Sequence, residues 1–511
     1  MNERLKQLNK NLCADGLWAD GLYIGIMSGT SLDAMDAVLV QFISEQTEQT
    51  KAIASSSITS LPTKSAVRLI ASHSMGFPKP LRQVLLALCQ PNGCVQLANK
   101  LKQIPPVDMT MFTQTTLTQA TLTQTMLPKK SLADYLADVD DVDIDALSEL
   151  DWAGWASRTY AEQTSKLVQT LLDKAQRQIQ AYDGNDHKHN INNVNDGCVD
   201  DDIANAVMAI GCHGQTVRHR PRLGFSTQLM DANVLAERTG INVVSDFRRR
   251  DMAVGGQGAP LVPAFHHAMF ADDEQWRVLV NLGGIANITV LPPLRLGQVA
   301  YGYDTGPANL LLDAWVARHS DVSYDAGGQF AQSGKLIEPL LKQLLAHEYF
   351  AKPTPKSTGR EEFHLPWLDD ELKTFAQHYP DVRYSPADVQ NTLTELTAIS
   401  VANEINRIHK PNTQNSNTQK TSVPSDTTPV AVFACGGGAY NDYLLLRMAS
   451  HIPQLFGGKI VSTEQLGLPP IWVEATAFAW LARQTLMGQT GNLPSVTGAE
   501  KAVVLGQVCF A

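Results

Sequence analysis

The chain has 511 residues, 44% of them hydrophobic and 18% charged, and a formal net charge of −10 at pH 7. This length is too great for one ordinary core and predicts two large domains. The net negative charge argues against nucleic acid or an anionic membrane as the main partner. No run of about 18 apolar residues occurs, so no transmembrane helix is expected. Residues 1–20 read as a polar extension without the apolar centre of a signal peptide, and we expect a cytoplasmic protein.

The cysteines are scattered along the chain and none forms a CxxC pair. Seven is an odd and low number for this length, which favours free thiols in a reducing compartment. Cys212 and Cys435 lie within apolar runs, where buried structural thiols are predicted.

A strand–turn–strand pattern comes first, in YIGIMSGTSLDAMDAVLVQF at Tyr23–Phe42. Apolar residues on both sides of the turn predict two strands. The backbone N–H groups and hydroxyls of such a turn can hold an anion. Asp33 and Asp36 beside the turn could hold a cation or its waters. The pattern suits the phosphate group of a metal–nucleotide complex, although an ordinary hairpin with a polar loop explains this stretch alone equally well.

Strands and helices are predicted to alternate after this hairpin. In chain order they are a helical stretch at 64–88 with a break at 76–80, a long helix at 155–180, a buried strand at 206–211, a strand at 241–244 and a helix at 261–270. Two stretches near 110–151 and 182–202 have no core pattern and are predicted to be surface or disordered inserts.

A second strand–turn–strand pattern, RVLVNLGGIANITVLP at Arg277–Pro292, opens the second half of the chain. Helices at 310–317, 335–345, 385–408 and 472–486 follow, with a strand at 430–433 and a linker-like insert at 410–429. The alternation of strands and helices predicts the α/β class. Two phosphate-binding hairpins, one in each half, predict a duplicated architecture with a nucleotide between the lobes. The predicted domains are 21–270 and 271–511, and the last helix is a candidate to pack back on the first domain.

Several common nucleotide and catalytic motifs are absent, namely the P-loop, the Rossmann GxGxxG, HExxH and GxSxG. A nucleotide must therefore be held in another way. Gly436–Gly438, directly after a strand, permits close approach of backbone to a ligand, although a tight strand-to-helix turn explains it equally well. Asp304 stands at a strand end beside a Gly-Pro turn, where a carboxylate can act as a general base. For an isolated aspartate, a cap or turn role is more common.

Other polar residues near strand ends are candidates for substrate binding. His213 and Gln215 form a neutral donor and acceptor pair suited to sugar hydroxyls, although a lone histidine at a strand end is more often structural. The run Arg248–Arg250 could bind an anionic group, with one or two of its members facing solvent. Glu474 heads an apolar helix, where it could simply favour the positive end of the helix dipole.

Eight motifs in a fixed order carry a resemblance to a known family, and they are MSGTSLDAMDAVLV, AIGCHGQTVRH, VVSDFRRRDMAVGGQGAPLVPAFHHA, VNLGGIANITVL, GYDTGPAN, PKSTGREEF, FACGGGAYN and GNLPSVTGA. Together they closely resemble the anhydro-N-acetylmuramic acid kinases, which belong to the superfamily of actin, hexokinase and the heat-shock ATPases. The resemblance covers residues 22–511 apart from the three inserts. It implies a two-domain actin/hexokinase-like ATPase fold with a duplicated mixed-sheet core and with ATP and Mg²⁺ in the interdomain cleft.

The resemblance also implies a reaction. The family converts 1,6-anhydro-N-acetylmuramic acid, ATP and water to N-acetylmuramic acid 6-phosphate and ADP, a step in peptidoglycan recycling. The expected partners are therefore a small amino sugar and ATP, and the family commonly forms homodimers.

Site residues are implied by matching the family motifs to this chain. The ATP contacts are expected at Gly29, Thr30, Ser31, Leu32, Asp33, Ala34, Met35, Asp36, Gly283, Gly284, Gly436, Gly437 and Gly438. Asp304 matches the catalytic aspartate, and Mg²⁺ is expected to be held through ATP and water near Asp33. The substrate contacts are expected at Thr216, Arg250 and Glu474, beside His213 and Gln215.

The chain departs from the family pattern at two positions, since Ala34 and Ala308 stand where the family usually has glycine. If either position needed a positive φ, the added methyl group would cost about 1 kcal/mol or more. The flanking functional residues are kept, so we expect activity to survive.

Competing functions remain open from the sequence. Asp304 and Glu474 could be the carboxylate pair of an ATP-independent glycoside hydrolase. The chain could also be another sugar kinase of the same superfamily, or a non-catalytic nucleotide-dependent scaffold of the actin or heat-shock type. Dependence of sugar turnover on ATP separates a kinase from a hydrolase, and ATP hydrolysis indifferent to sugar would indicate a scaffold.

Overall fold

The computed structural model describes residues 21–29, 32–44, 65–90, 92–102, 147–183, 203–409 and 428–511. The predicted extension at 1–20 lies outside these residues, as does most of each predicted insert. Thr30 and Ser31 of the first turn also lie outside them. None of the helices within the described ranges is both long and apolar enough to span a bilayer.

The strands, in chain order, are β1 Gly21–Ser28, β2 Ala34–Ser44, β3 Ser65–Gly76, β4 Val207–Cys212, β5 Gln215–Arg220, β6 Phe225–Leu229, β7 Val243–Ser245, β8 Trp276–Leu282, β9 Ile285–Leu291, β10 Tyr301–Pro307, β11 Val430–Cys435, β12 Val461–Ser462 and β13 Gln507–Cys509. The helices are α1 Lys79–Leu88, α2 Gly93–Lys102, α3 Glu149–Asp183, α4 Ile203–Ala206, α5 Ala232–Thr239, α6 Phe247–Met252, α7 Val262–Phe270, α8 Asn309–His319, α9 Gln329–Ser333, α10 Glu338–Leu345, α11 Glu348–Ala351, α12 Leu365–His378, α13 Pro386–Asn406, α14 Asp442–Ser450, α15 Val473–Leu486 and α16 Pro494–Thr497.

Two mixed sheets of similar construction organise the described chain. The first sheet has the order β13-β7-β4-β1-β2-β3, and the second has the order β10-β9-β8-β11-β12. In each sheet an antiparallel three-stranded meander, β1–β3 or β8–β10, is joined through its first strand to a parallel strand, β4 or β11. The predicted α/β class and the duplicated mixed-sheet core are therefore confirmed.

Helix α15 comes from the second half of the chain and lies directly on β1 and β4 of the first sheet. This close packing requires glycine in both strands. A Cβ atom at Gly25 would lie 1.9 Å from the carbonyl oxygen of Ala475, and one at Gly211 would lie 2.0 Å from that of Phe478. Strand β13 also adds to the first sheet by pairing with β7. The sequence-based domain boundaries at 21–270 and 271–511 stay a prediction.

One predicted helix is wrong in its first half. Residues 64–76 had been expected to begin a helical stretch, but Ser65–Gly76 forms β3 and pairs along its length with β2. Val67, Leu69 and Ala71 recur at the period of two that is typical of a strand, whereas Val67 and Ile70 have the three-residue spacing that fits a helix. Pairing with β2 supplies the backbone hydrogen bonds that decide between them. The helix begins only after the break, at Lys79.

The predicted helix start at Ser385-Pro386 is confirmed. The Ser385 hydroxyl accepts the Asp388 backbone N–H, and the Asp388 carboxylate accepts the Ser385 N–H, which together form a capping box at α13. Helix α10 begins at Glu338, so Pro339 falls in the first turn, where its missing N–H has no intrahelical partner to lose. The cysteines within the described ranges are free thiols, and Cys212 and Cys435 are buried as predicted.

Candidate active site

Residues of both long hairpins lie near the first turn of α15. Glu474 in that turn accepts a hydrogen bond from Asn281 Nδ2 at 3.1 Å, and Asn281 lies just before the turn of the second hairpin. Burial raises the pKa of Glu474, the cation of Arg248 lowers it, and the carboxylate of Asp36 on the first hairpin raises it. Asn281 of the second hairpin and the charge of Asp36 on the first hairpin both act on Glu474, so the two hairpins border one cleft at the start of α15.

The first hairpin turn is held by its own backbone and by α1. Leu32 N–H donates to Gly29 O at 3.2 Å, and Leu32 is buried with a left-handed φ of 57°. Such a conformation costs a non-glycine residue about 1 kcal/mol and is found most often at functional turns. Arg82 donates to Leu32 O at 2.8 Å and lies 3.4 Å from the exposed carboxylate of Asp33.

The rest of the predicted ATP loop lies in β2. Met35 is buried, and Asp36 is opposite Met27 in the antiparallel pairing with β1. Burial raises the pKa of Asp36, and a hydrogen bond with Ser74 lowers it. Ala34 starts the strand and is not among the described residues with positive φ. Ala308 has a φ of −130°, so neither alanine occupies the positive-φ conformation that would favour glycine.

The second hairpin turn is fastened to the N-terminus of α8. The carbonyl oxygens of Gly283 and Gly284 accept the backbone N–H groups of Asn309 and Leu310 at 3.1 and 3.0 Å. The Asn309 side chain also donates to Leu282 O at 2.9 Å. The turn and the helix start therefore move together, and the first N–H groups of α8 point at the turn.

The glycine run after β11 packs against this same hairpin. Gly436 has a φ of 77°, and a Cβ atom there would lie 2.5 Å from Asn281 Oδ1. A Cβ atom at Gly438 would lie 2.6 Å from Leu282 Cβ. Gly437 begins the 3₁₀ turn that leads to α14. Side chains at Gly436 and Gly438 would separate the glycine run from the second turn. The structure thus brings the predicted ATP contacts at Gly283 and Gly284 together with those at Gly436–Gly438.

His213 follows β4 and is already engaged within the protein. Its Nδ1 lies 2.7 Å from Gly214 O, so Nδ1 carries the proton and Nε2 accepts from Arg248 Nη2 at 2.7 Å. Burial, and then the Arg248 cation, hold the pKa of His213 well below its usual range. The histidine is therefore neutral, and both of its ring nitrogens have protein partners.

Gln215 and Thr216, the other predicted sugar contacts of this segment, begin β5. Gln215 is buried, and its Oε1 has no hydrogen-bond partner among the described residues. Thr216 Oγ1 accepts from Gln228 Nε2 at 3.2 Å. A polar cavity of about 490 Å³ lies beside them, at the ends of β4 and β7, and both His213 and Gln228 line it.

The arginine run of α6 points in several directions. Arg248 turns inward to His213 and also donates to Gly258 O at 2.7 Å. Burial lowers the pKa of Arg248 to about 10, while the nearby Glu474 carboxylate partly opposes this. Arg249 pairs with Asp246. Arg250, the predicted substrate contact, is exposed and lines an adjoining cavity of about 440 Å³ near β13.

Asp304 lies within β10, beside an irregularity in its pairing with β9, rather than at the strand end expected from sequence. The side chain is half-buried. Its Oδ2 accepts the Ser357 hydroxyl at 2.9 Å and the Thr358 backbone N–H at 3.1 Å. Burial raises the pKa of Asp304 to about 6, against the lowering effect of the two hydrogen bonds and with a smaller raising effect of Glu361. A carboxylate of this kind is ionised at neutral pH and is a stronger base than an ordinary aspartate.

A group of carboxylates spans the cleft at the first turn. Burial, and then the charges of Asp33 and Asp325, raise the pKa of Asp313 in α8 to about 7. Within the described ranges, no three histidine, cysteine or acidic side chains are close enough to hold a metal ion by themselves.

Sequence reasoning missed Asn281 and Asn309, and it named Arg248 only as part of the run Arg248–Arg250. Asn281 donates to Glu474, Asn309 joins the second turn to the glycine run, and Arg248 contacts His213. Each of them lies inside a motif that had been noted, so a signal was present. What the motifs could not show was which side chains point inward.

Two mixed sheets, glycine turns facing one cleft and a half-buried basic carboxylate define a two-lobed α/β enzyme suited to group transfer. The family model for anhydro-N-acetylmuramic acid kinase matches residues 21–133 and 137–511. The chain belongs to this family, and thus to the superfamily of actin, hexokinase and the heat-shock ATPases.

Relatives described as anhydro-N-acetylmuramic acid kinase match over nearly the whole chain. The protein from Psychrobacter arcticus is 51% identical, with 96% of this chain and 95% of the relative covered. The protein from Saccharophagus degradans is 38% identical, with 95% and 98% covered. Among solved structures, the activator of 2-hydroxyisocaproyl-CoA dehydratase from Clostridium difficile with bound ADPNP has a TM-score of 0.26 and 13% identity, over 54% of this chain and 73% of that one. This last likeness is too slight to carry an argument.

Proposed function

We propose that the chain is the ATP-dependent kinase that converts 1,6-anhydro-N-acetylmuramic acid and water to N-acetylmuramic acid 6-phosphate in peptidoglycan recycling. The observation that carries this conclusion is the match to the kinase family over residues 21–133 and 137–511. The raised pKa of Asp304, about 6, also supports it, because a general base works best when its pKa lies near the operating pH and it is still ionised there.

In the proposed reaction, Asp304 accepts a proton from water as the water oxygen attacks the anomeric carbon. The bond from that carbon to O6 breaks, and O6 bonds to the γ-phosphorus of ATP while ADP leaves. Because Ser357 and Thr358 hold only Oδ2, the other carboxylate oxygen is available to the water. Closure of the lobes would exclude bulk water and align O6 with the phosphate.

ATP is proposed to bind between the hairpin turns, with its phosphates near Gly29 and Gly283–Gly284 and its nucleoside near Gly436–Gly438. The charge of Asp33 beside the first turn raises the pKa of Asp313 in α8, and this repulsion fits a site that also receives a cation. Mg²⁺ would be held through ATP and water near Asp33. When bound, it would neutralise charge on the transferring phosphoryl group.

The sugar is proposed to lie against Thr216 and Glu474, with Arg250 as a further contact and His213 and Gln215 behind it. The inward direction of Arg248 supports adding it to this set. The buried, unpartnered Oε1 of Gln215 supports a ligand or water donor on that side of the cleft.

The remaining parts of the proposal concern the whole protein. Residues 21–270 and 271–511 would form the two domains, and the enzyme would act in the cytoplasm as a homodimer. The net charge of −10 supports small molecules rather than nucleic acid as its partners.

The decisive experiment is an ADP-release assay with 1,6-anhydro-N-acetylmuramic acid, against N-acetylmuramic acid as the control sugar. We expect ADP release only with the anhydro sugar, in equal amount to the sugar phosphate formed. Opening of the anhydro ring without ATP would instead identify a glycoside hydrolase. ATP hydrolysis at one slow rate with either sugar would identify a nucleotide-dependent scaffold.

A further inference from the structure

A buried ion pair lies behind the loop that holds Asp304. Lys356 Nζ is 2.9 Å from Glu404 Oε1, and the two side chains are only 3% and 4% exposed. Lys356 belongs to the loop between α11 and α12, and Glu404 belongs to α13. Neither residue has a part in the reaction proposed above.

Both charges of the pair are surrounded by further partners. Glu404 Oε2 accepts the Tyr303 hydroxyl at 3.2 Å and Arg407 Nη1 at 3.0 Å, while Lys356 Nζ also donates to Phe350 O at 3.2 Å. Removing two charges from water costs more than their attraction commonly returns. A pair of this kind therefore serves less to stabilise the fold than to fix one arrangement of the chain.

The ion pair fixes the segment 356–358, and this segment contacts Asp304. The Asp304 backbone N–H donates to Lys356 O at 3.1 Å. The next two residues, Ser357 and Thr358, supply the hydroxyl and the N–H that hold Asp304 Oδ2. The position of the Lys356 backbone thus sets the position of both donors.

We propose that Lys356 and Glu404 are positioning residues for Asp304, whose buried ion pair locks the 356–358 segment so that one carboxylate oxygen is held and the other is left for the attacking water. The inference rests on the proposed role of Asp304 as the general base. It does not depend on how the nucleotide is held.

The charged and titratable groups around Asp304 define what the pair controls. Glu361 lies near the carboxylate, and the Tyr349 hydroxyl donates to Asp304 O at 2.6 Å. The two hydrogen bonds to Oδ2 lower the pKa of Asp304, so releasing the 356–358 segment should raise it. The acidic limb of the pH profile of kcat/KM should then move to higher pH.

The test compares Lys356→Met with Lys373→Met, a matched substitution at an exposed ion pair in the same half of the chain. For Lys356→Met we expect kcat to fall about 10- to 100-fold and the acidic limb to move up by about one pH unit. The KM for ATP should stay unchanged. Lys373→Met should match the wild-type protein in all three measurements.

Lys356→Met leaves Glu404 with a buried charge, so a second variant guards against loss of the fold. Ser357→Ala removes only an exposed hydroxyl that donates to Asp304 Oδ2. It should show a smaller loss of kcat with the acidic limb moved in the same direction. For Glu404→Gln, which keeps an acceptor for Lys356, we expect a loss of kcat between those of Lys356→Met and Ser357→Ala.

Two outcomes would overturn the proposal. One is a folded Lys356→Met protein with wild-type kcat and pH profile. The other is a loss of activity that follows the melting temperature while the acidic limb stays in place in every variant, since that indicates a purely structural pair. Failure of the proposed function is separate, because it would show in the wild-type protein as no ADP release with the anhydro sugar.

Discussion

Asp304 has the geometry of a general base, with one carboxylate oxygen held and a pKa raised to about 6 by burial. We expect Asp304→Asn to lower kcat by about 10²–10⁴-fold while ATP still binds, because the amide cannot accept the proton from water. In the wild-type protein the carboxyl is protonated below about pH 6, so kcat/KM should rise with pH through that value and level off above it. ADP-release rates from pH 5 to 8 and ATP titrations of the variant would measure both effects.

A near-wild-type rate for Asp304→Asn would remove this residue from the chemistry. Glu361→Gln is a useful comparison, because Glu361 also lies near the carboxylate but makes only a small contribution to its pKa. It should move the acidic limb slightly to lower pH and leave kcat nearly unchanged.

Asp313 is predicted to destabilise the free protein at neutral pH. Its pKa is raised from 3.8 to about 7, first by burial and then by Asp33 and Asp325, so the folded protein binds a proton that the unfolded chain releases. Its contribution to stability therefore falls as pH rises from about 4 to about 7. Asp313→Asn should raise the free energy of unfolding by about 1–2 kcal/mol at pH 8 and change it little at pH 4.5.

Melting temperatures at the two pH values would check this, with the exposed Asp321→Asn as the matched control. An equal shift for Asp313→Asn at both pH values would show that its charge is not responsible.

The local pattern of a strand followed by a Gly-Pro turn and a helix makes Asp304 a candidate, but its assignment as the catalytic aspartate comes from the family motif GYDTGPAN and stays a prediction. It could not separate Arg248 from Arg250, since adjacent positions of a short helix point in different directions and only the packing of α6 decides which faces His213. For the same reason the Lys356–Glu404 pair could not be found. Its members are far apart in the chain and meet only once α13 is in place.

At the scale of elements, the packing of α15 on the first sheet depends on glycines in two strands. Gly25→Ala would place a methyl group 1.9 Å from the carbonyl oxygen of Ala475, where backbone has to move. We expect the free energy of unfolding to fall by about 3 kcal/mol or more, since overpacking a core against backbone is costly. Urea unfolding followed by circular dichroism would measure it.

Gly154→Ala is the matched control, because this glycine lies on an exposed face of α3 with nothing within 4 Å of a Cβ atom. It should stabilise the protein by about 0.5–1 kcal/mol through helix propensity. Equal effects of the two substitutions would mean that α15 does not press on β1 in solution.

The elements themselves were predictable where local patterns were long or carried explicit end signals. Both long hairpins, α3 and the capped start of α13 were expected from sequence and are present. Strand β3 differs from the predicted helix because its pairing with β2 decides its conformation, and that pairing does not show in the local pattern of residues 65–76. The contact of α15 with the first sheet shows only indirectly in sequence, through Gly25 and Gly211.

At the scale of the whole molecule, the end of the chain returns to the first half and is fixed there by Asp251. This buried carboxylate accepts three hydrogen bonds, two at Oδ1 from Asn492 and Thr497 and one at Oδ2 from the Gly258 N–H, at 2.7–2.8 Å. Gly258 O in turn accepts from Arg248, so the same contacts hold the cleft arginine. The motifs SDFRRRD and GNLPSVTGA therefore form one structural unit, although they lie at distant places in the sequence.

Asp251→Asn should weaken this unit, because an amide has one acceptor oxygen and must turn its NH₂ group toward protein donors on one side or the other. We expect a loss of about 2–4 kcal/mol in the free energy of unfolding, the range for a buried polar group left without its partner. Asn492→Ala should cost less, since Thr497 still donates to the same oxygen. The exposed Asp273→Asn serves as control in urea unfolding experiments. If Asp251→Asn were no more destabilising than that control, the return of the chain end would have to be held by the pairing of β13 with β7 and by the packing of α15, and Asp251 would not be its anchor.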